Sequence, residues 1–168
     1  MRSLSRLIAM LIAAMLLAGC SFHLRGEAGM PFDTIYLKSA DPNTEFIREL
    51  RRSLAANKVK LTGDAKQAEV VLDIISEYPS KQILTLDASG RVNEYELFYR
   101  VSLRAYDHNN QEWIPADEFS LRRDFPYDDN NVLAMEAQED LLYKSMHTEM
   151  VQQIVRRLSR SKPQTPPK

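Results

Sequence analysis

Residues 94–105, EYELFYRVSLRA, decide the fold of this chain because apolar and polar side chains alternate along them. The apolar positions are Tyr95, Leu97, Tyr99, Val101, Leu103 and Ala105. The polar positions are Glu94, Glu96, Arg100, Ser102 and Arg104, with Phe98 as the main exception. Since successive side chains of a strand point to opposite faces, this period of two predicts a long strand with one buried face and one solvated face.

Turn-forming residues on both sides of this stretch predict antiparallel neighbours. Residues 88–91 (ASGR) suit a turn because the glycine tolerates positive φ, and residues 82–86 before them are compatible with a strand. Residues 107–111 (DHNNQ) predict a hairpin loop, and the return strand runs from there to about Phe125.

Further strands are predicted upstream. Residues 34–38 alternate between apolar and polar side chains. Residues 69–78 are rich in Val and Ile, and Pro79 is expected to end their strand because proline cannot donate to a sheet ladder. Without residues 82–86, which are only compatible with a strand, these segments predict a mostly antiparallel sheet of four strands.

Two helices complete the pattern. The first is predicted between the upstream strands, with Asp41 as its N-cap, Pro42 at its first helical position and Asn57 as its end. The second begins after a cap at residues 128–131 and reaches about Arg160. Its apolar stripe recurs every four residues, at Leu142, Met146, Met150, Ile154 and Leu158. This order predicts an α+β fold, a two-layer sandwich with both helices on one face of the sheet.

The N-terminus has the layout of a secretory signal, with basic residues followed by an apolar run that is too short to span a bilayer. Its end, residues 17–20 (LAGC), resembles the lipobox of bacterial lipoproteins and contains the single cysteine of the chain. The resemblance implies cleavage before Cys20, a diacylglycerol on its sulfur and an acyl chain on its new amino group. An ordinary secreted protein with a chance cysteine is the alternative.

Three segments are therefore predicted. Residues 1–19 are the signal peptide, residues 20–161 form the folded domain, and residues 162–168 (KPQTPPK) are a disordered tail. Removal of the signal leaves 20 basic and 23 acidic residues. This balance gives no general attraction to nucleic acid.

No catalytic or metal site is predicted. The three histidines, His23, His108 and His147, lie far apart and none has metal-ligand spacing to a partner. The nucleophile elbow G-x-S-x-G is absent, and five glycines form no phosphate-cradling loop. We therefore expect no cofactor other than the covalent lipid.

The polar face of the long strand is the one surface pattern that could carry function. Arg122 on the return strand and Arg91 at the turn extend it. It is either the plain solvent side of a two-layer protein or a surface that docks into a polar cavity or binds an anionic amphiphile. Arginine suits phosphate because its planar fork donates bidentate hydrogen bonds.

Residues 19–26, GCSFHLRG, look like the mature N-terminus of the lipopolysaccharide-assembly lipoproteins called LptE (older name RlpB). In that family an aromatic residue and His-Leu-Arg follow the acylated cysteine. The resemblance continues through residues 37–52, the turn at Ser89 and Gly90, and the link from Arg123 into the last helix. It covers essentially the whole mature domain.

The resemblance implies the same two-helix, four-strand sandwich and a non-catalytic function. Family members plug the lumen of LptD, a large outer-membrane β-barrel, and the pair delivers lipopolysaccharide to the outer leaflet. Family members are also credited with binding lipopolysaccharide through basic residues near the turn and the adjoining strand. The candidates here are Arg91, Arg122 and Arg123. Ser21 after the cysteine favours sorting to the outer membrane.

Two other functions stay open. One is an auxiliary lipoprotein of a lipid ABC transport system, which can have a similar size, anchor and α+β shape. The other is a lipid-tethered periplasmic enzyme, which the absence of a catalytic motif disfavours.

Overall fold

The structure, a computed structural model, describes residues 29–164. The predicted signal peptide at residues 1–19, the lipidation of Cys20 and the last four residues of the predicted tail lie outside this range. Residues 162–164 of that tail lie inside it, and the Gln164 backbone N–H donates to the Glu112 carbonyl at 2.7 Å, so the ordered chain extends past the predicted boundary at residue 161. The elements in chain order are β1 (Thr34–Ser39), α1 (Glu45–Ala56), β2 (Lys60–Leu61), β3 (Val70–Leu86), β4 (Val92–Tyr106), β5 (Glu112–Pro126) and α2 (Val132–Ser159).

The sheet has the strand order β2-β1-β3-β4-β5. β1 runs parallel to β2 and β3, whereas the β3–β4 and β4–β5 pairs are antiparallel. The α+β class is confirmed, but the count of four strands was wrong because β2 adds a fifth. β2 consists of two residues that pair with Thr34 and Ile35, so it is too short to show any periodicity in the sequence.

One hydrophobic core lies between the sheet and the two helices. The apolar side chains of residues 94–105 form its floor, with Leu97, Tyr99 and Val101 fully buried. Phe46 of α1 and Met146 of α2 are also fully buried and cover this face. The apolar side chains that alternate along residues 94–105 therefore pack in the same core as the apolar stripe of α2, as predicted. Truncation of such a core leucine to alanine typically costs about 2–5 kcal/mol.

The N-cap of α1 is Thr44, so the prediction of Asp41 was wrong. The Asp41 carboxylate accepts the backbone N–H of Asn43 at 2.9 Å and forms a local turn before the helix. The Thr44 hydroxyl then accepts the backbone N–H of Ile47 at 3.2 Å. Pro42 accordingly lies before the helix, and Asn57 ends it as predicted.

β3 is one strand of 17 residues, so Pro79 does not end it. Pairing with β1 stops where Ser39 meets Ile74, and beyond that point β3 pairs only with β4. A proline is tolerated there because one side of the strand needs no donor. The residues predicted as separate strands at 69–78 and 82–86 are therefore continuous, and we call the part of β3 and β4 that extends beyond β1 the arm.

Contacts from α2 support this arm. The Tyr143 hydroxyl donates to the Ser80 carbonyl at 2.9 Å, and Lys81 pairs with Glu139 at 2.6 Å. At the other end of the molecule, the ring of Phe32 packs edge-on against Trp113 at 5.5 Å. α2 has 28 residues and is therefore about 42 Å long.

Candidate interaction surface

The face of the sheet turned away from the helices carries mostly polar and charged side chains along β4 and β5, and we call it the outer face. It is formed by the predicted polar positions of β4 and by their neighbours on β5. Arg100 lies opposite Ser120, Ser102 opposite Glu118, and Phe98 opposite Arg122. Since directly paired residues share a face of an antiparallel sheet, the position predicted for Arg122 agrees with this register.

Charges on the outer face are paired in a ladder. The carboxylate of Asp73, only 7% exposed, lies 3.0 Å from Lys38 Nζ and 3.4 Å from Arg104 Nη2. The hydrogen bond to Asp73 raises the pKa of Lys38. Further along the face, Arg122 lies 3.6 Å from Glu96. A buried carboxylate with two cationic partners holds the β1, β3 and β4 side chains in a fixed arrangement.

Phe98, the exception in the alternation, belongs to this charged face. The Arg100 guanidinium lies over its ring at 5.0 Å, and Arg104 lies over the ring of Tyr106 at 4.9 Å. Cation–π contact explains why an aromatic residue occupies a polar position.

Arg91 lies at the tip of the β3–β4 arm and pairs with Asp87 at 2.9 Å. Asp87 also accepts the backbone N–H groups of Ser89 and Arg91, at 2.8 and 3.0 Å. These bonds, chiefly the one from the Arg91 backbone, lower the pKa of Asp87 to about 2. Asp128 lies near the same arginine, and its pKa is lowered mainly by hydrogen bonds from Asn130 and Asn131. Arg91 is therefore an exposed cation among carboxylates.

The structure does not bring the three candidate arginines into one cluster. Arg91 lies at the arm tip and Arg122 on the outer face. Arg123 is opposite Leu97 on the helix side of the sheet, where it forms an ion pair with Glu149 of α2. Each of the three thus has a carboxylate partner that an anionic ligand would have to replace.

A hydrogen-bonded group links the sheet to both helices beneath the outer face. Glu77 accepts the hydroxyls of Tyr99 at 2.8 Å and of Thr44, the α1 N-cap, at 2.9 Å. Burial, then the bond to Glu77, raises the pKa of Tyr99. The ring of Tyr99 meets that of His147 at 4.4 Å, so His147 is a packed side chain of α2.

Within residues 29–164, no group of three or more His, Cys, Asp or Glu side chains is arranged to hold a metal ion. Over the same residues, no helix is both long and apolar enough to cross a membrane.

Sequence reasoning missed several exposed apolar side chains near the arm tip. Ile83, Leu84 and Leu86 of β3 are 57%, 43% and 55% exposed, and Leu133 at the start of α2 is 83% exposed. The signal was the apolar content of residues 82–86, which lie on a segment of β3 that pairs only with β4.

The chain is similar to proteins of one kind. A family model described as "LptE: Lipopolysaccharide-assembly" matches residues 32–158. The LPS-assembly lipoprotein LptE of Pectobacterium atrosepticum is 29% identical over 150 residues, which cover 88% of this chain and 80% of that protein.

The chain is also similar to solved structures of bacterial lipoproteins. A lipoprotein B of Nitrosomonas europaea matches with a TM-score of 0.71 and 36% identity, over 83% of this chain and 90% of that one. The rare lipoprotein B of Shewanella oneidensis matches with a TM-score of 0.66 and 28% identity, over 73% and 91%.

Proposed function

The chain belongs to the LptE family of lipopolysaccharide-assembly lipoproteins, and from this premise we propose that it plugs the outer-membrane β-barrel LptD. Its role is non-enzymatic, as in the family. In the proposal, Cys20 carries the diacylglycerol and the N-acyl chain that anchor the protein in the outer membrane. The complex of plug and barrel delivers lipopolysaccharide to the outer leaflet.

The charge ladder of the outer face is the observation that carries the plug proposal. The lumen of a large transmembrane barrel is polar, so its plug needs charged and hydrogen-bonding side chains rather than an apolar surface. Asp73 with Lys38 and Arg104, and Glu96 with Arg122, supply such groups in fixed positions. Pre-organised side chains lose little entropy when they dock.

The lipid anchor supports the proposal through proximity. Phe32 packs into the domain twelve residues after Cys20, so the tether spans at most about 40 Å. A tether of this length holds the domain beside a barrel in the same membrane and raises its effective concentration there.

Site-specific crosslinking tests this face directly. We expect a photoreactive residue at Ser102, on the outer face, to crosslink full-length lipoprotein to LptD in outer membranes. The matched control is the same residue at Gln152, an exposed position on α2. Crosslinking to LptD from Gln152 and not from Ser102 would contradict the assignment of the outer face.

We also propose that Arg91, Arg122 and Arg123 contact the phosphates of lipid A. The apolar side chains at the arm tip support this for Arg91, because an amphiphile presents acyl chains beside its phosphates. Loss of one charge-assisted hydrogen bond of about 1.5–3 kcal/mol corresponds to a loss of about tenfold or more in affinity.

The test is lipopolysaccharide binding by a folded triple variant, Arg91→Asp, Arg122→Asp and Arg123→Asp, beside the three single variants. Because the arginines lie apart, we expect the losses from the single variants to add. Full affinity in the triple variant would rule out the assignment.

A further inference from the structure

Four cations surround a concave site where α2 ends, and we call it the basic pocket. It measures about 440 Å³. Its defining side chains are Arg156, Arg157, Arg160, Lys162, Trp113 and Phe119. The cations are exposed, whereas the two aromatic side chains, from β5, are half-buried.

Within the described part of the chain, the cations of this pocket have no acidic partner, unlike Arg91, Arg122 and Arg123. None of the residues at 29–164 that line the pocket carries a carboxylate. Across residues 29–164, Arg156, Arg157, Arg160 and Lys162 take part in none of the ion pairs. The helix dipole favours cations at the end of α2. It does not require four of them beside aromatic side chains in a concavity.

The basic pocket lies at the anchor end of the molecule. Trp113, which lines it, packs against Phe32, and Phe32 follows Cys20 by twelve residues. The arm tip near Arg91 lies toward the start of α2, so the length of that helix separates it from the pocket. A membrane that holds the lipid anchor is therefore within reach of the pocket.

We propose that the basic pocket docks onto anionic phospholipid headgroups of the leaflet that carries the lipid anchor. The inference rests on the proposed anchoring through Cys20. Arginine forks bind phosphate oxygens in a bidentate way, and clustered basic residues are attracted to an anionic surface. Trp113 suits this position because tryptophan is enriched at membrane–water interfaces. Docking holds the end of α2 at the level of the headgroups and leaves the arm tip, at the opposite end of that helix, available to the barrel lumen.

Trp113 makes the proposal testable because it is the only tryptophan of the chain. Full-length lipidated protein is inserted into phosphatidylethanolamine vesicles with or without phosphatidylglycerol, each containing a lipid with a spin-labelled headgroup. We expect about twofold stronger quenching of Trp113 fluorescence when about a quarter of the lipid is phosphatidylglycerol, and loss of the difference at high salt.

Two variants with the same net charge distinguish the effect of the pocket cations from the effect of net charge. In the first, Arg156→Gln, Arg157→Gln, Arg160→Gln and Lys162→Gln are combined. In the control, Arg48→Gln, Arg52→Gln, Lys66→Gln and Lys144→Gln remove the same charge from exposed positions elsewhere. We expect the dependence on phosphatidylglycerol to vanish in the first variant and to persist in the control.

The outcomes distinguish a failure of the pocket assignment from a failure of the anchoring on which it rests. Flotation with vesicles of either composition reports the anchor, and quenching reports the pocket. Flotation without a difference in quenching would overturn the pocket assignment alone. Failure to float with any vesicle would overturn the anchor and the pocket assignment together. An effect of the first variant on binding to LptD, with no effect on vesicles, would assign the cations to a protein contact and overturn the lipid assignment.

Discussion

At the scale of single residues, the carboxylate of Asp87 organises the turn that joins β3 and β4. It accepts two backbone N–H groups and pairs with the Arg91 side chain. Gly90 follows at φ +80°, a conformation that residues with a side chain rarely adopt. The turn predicted at residues 88–91 is thus held by a residue just before it.

The low pKa of Asp87 makes a prediction about acid stability. Its folded value of about 2 lies below the ordinary value of 3.8, so folding favours the ionised form. The stabilisation is complete above about pH 4 and is lost as the pH falls towards about 2. We expect NMR titration of the carboxyl group to give the low value. A value near 3.8 would contradict the hydrogen bonding of the turn.

Tyr99 gives a second prediction at this scale. Tyr99→Phe removes one of the two hydroxyls that Glu77 accepts, the one from a buried side chain to a half-buried carboxylate. We expect a loss of about 1–2 kcal/mol in the free energy of unfolding, measured with urea. Tyr78→Phe is the matched control because Tyr78 is 59% exposed. Equal effects of the two substitutions would show that Glu77 is not an energetic link between sheet and helix.

At the scale of elements, the helices and β4 could be predicted because in each of them the pattern of apolar residues repeats over enough positions to be recognised. The polar positions of residues 94–105 and the stripe of α2 lie where their periods require. β2 and the full length of β3 could not be predicted this way. β2 has two residues, and Pro79 breaks a strand only where both sides of that strand need donors.

The positions of the candidate arginines show a different limit of prediction from sequence. Arg122 and Arg123 are adjacent in the sequence, so they lie on opposite faces of β5, as strand geometry requires. The sequence alone could not reveal the basic pocket either. Trp113 and Arg157 belong to different elements, and only the packing of β5 against the end of α2 brings them together.

The two halves of β3 are expected to differ in hydrogen exchange. The segment at residues 71–74 is paired on both sides and buried, whereas the segment at residues 76–86 is paired only with β4 and mostly exposed. Local opening should therefore let amides of the distal segment exchange at least about tenfold faster. Mass spectrometry of peptides from the two halves measures this. Uniform protection along β3 would mean that another layer covers the arm.

At the scale of the whole molecule, the surface divides into three regions. The outer face carries paired charges. The arm tip combines Arg91 with exposed apolar side chains. The basic pocket lies at the opposite end of α2, near the start of the described chain. This arrangement fits a lipoprotein held at one end and extended into a polar cavity, as the plug proposal requires.

A pull-down of the tagged full-length chain from detergent-solubilised outer membrane tests the plug proposal most directly. The co-purifying proteins are identified and their ratio to the chain is measured. We predict a one-to-one complex with LptD. Recovery of the chain alone, or with an inner-membrane transporter, would contradict the plug proposal and favour an auxiliary lipoprotein of a lipid ABC transport system.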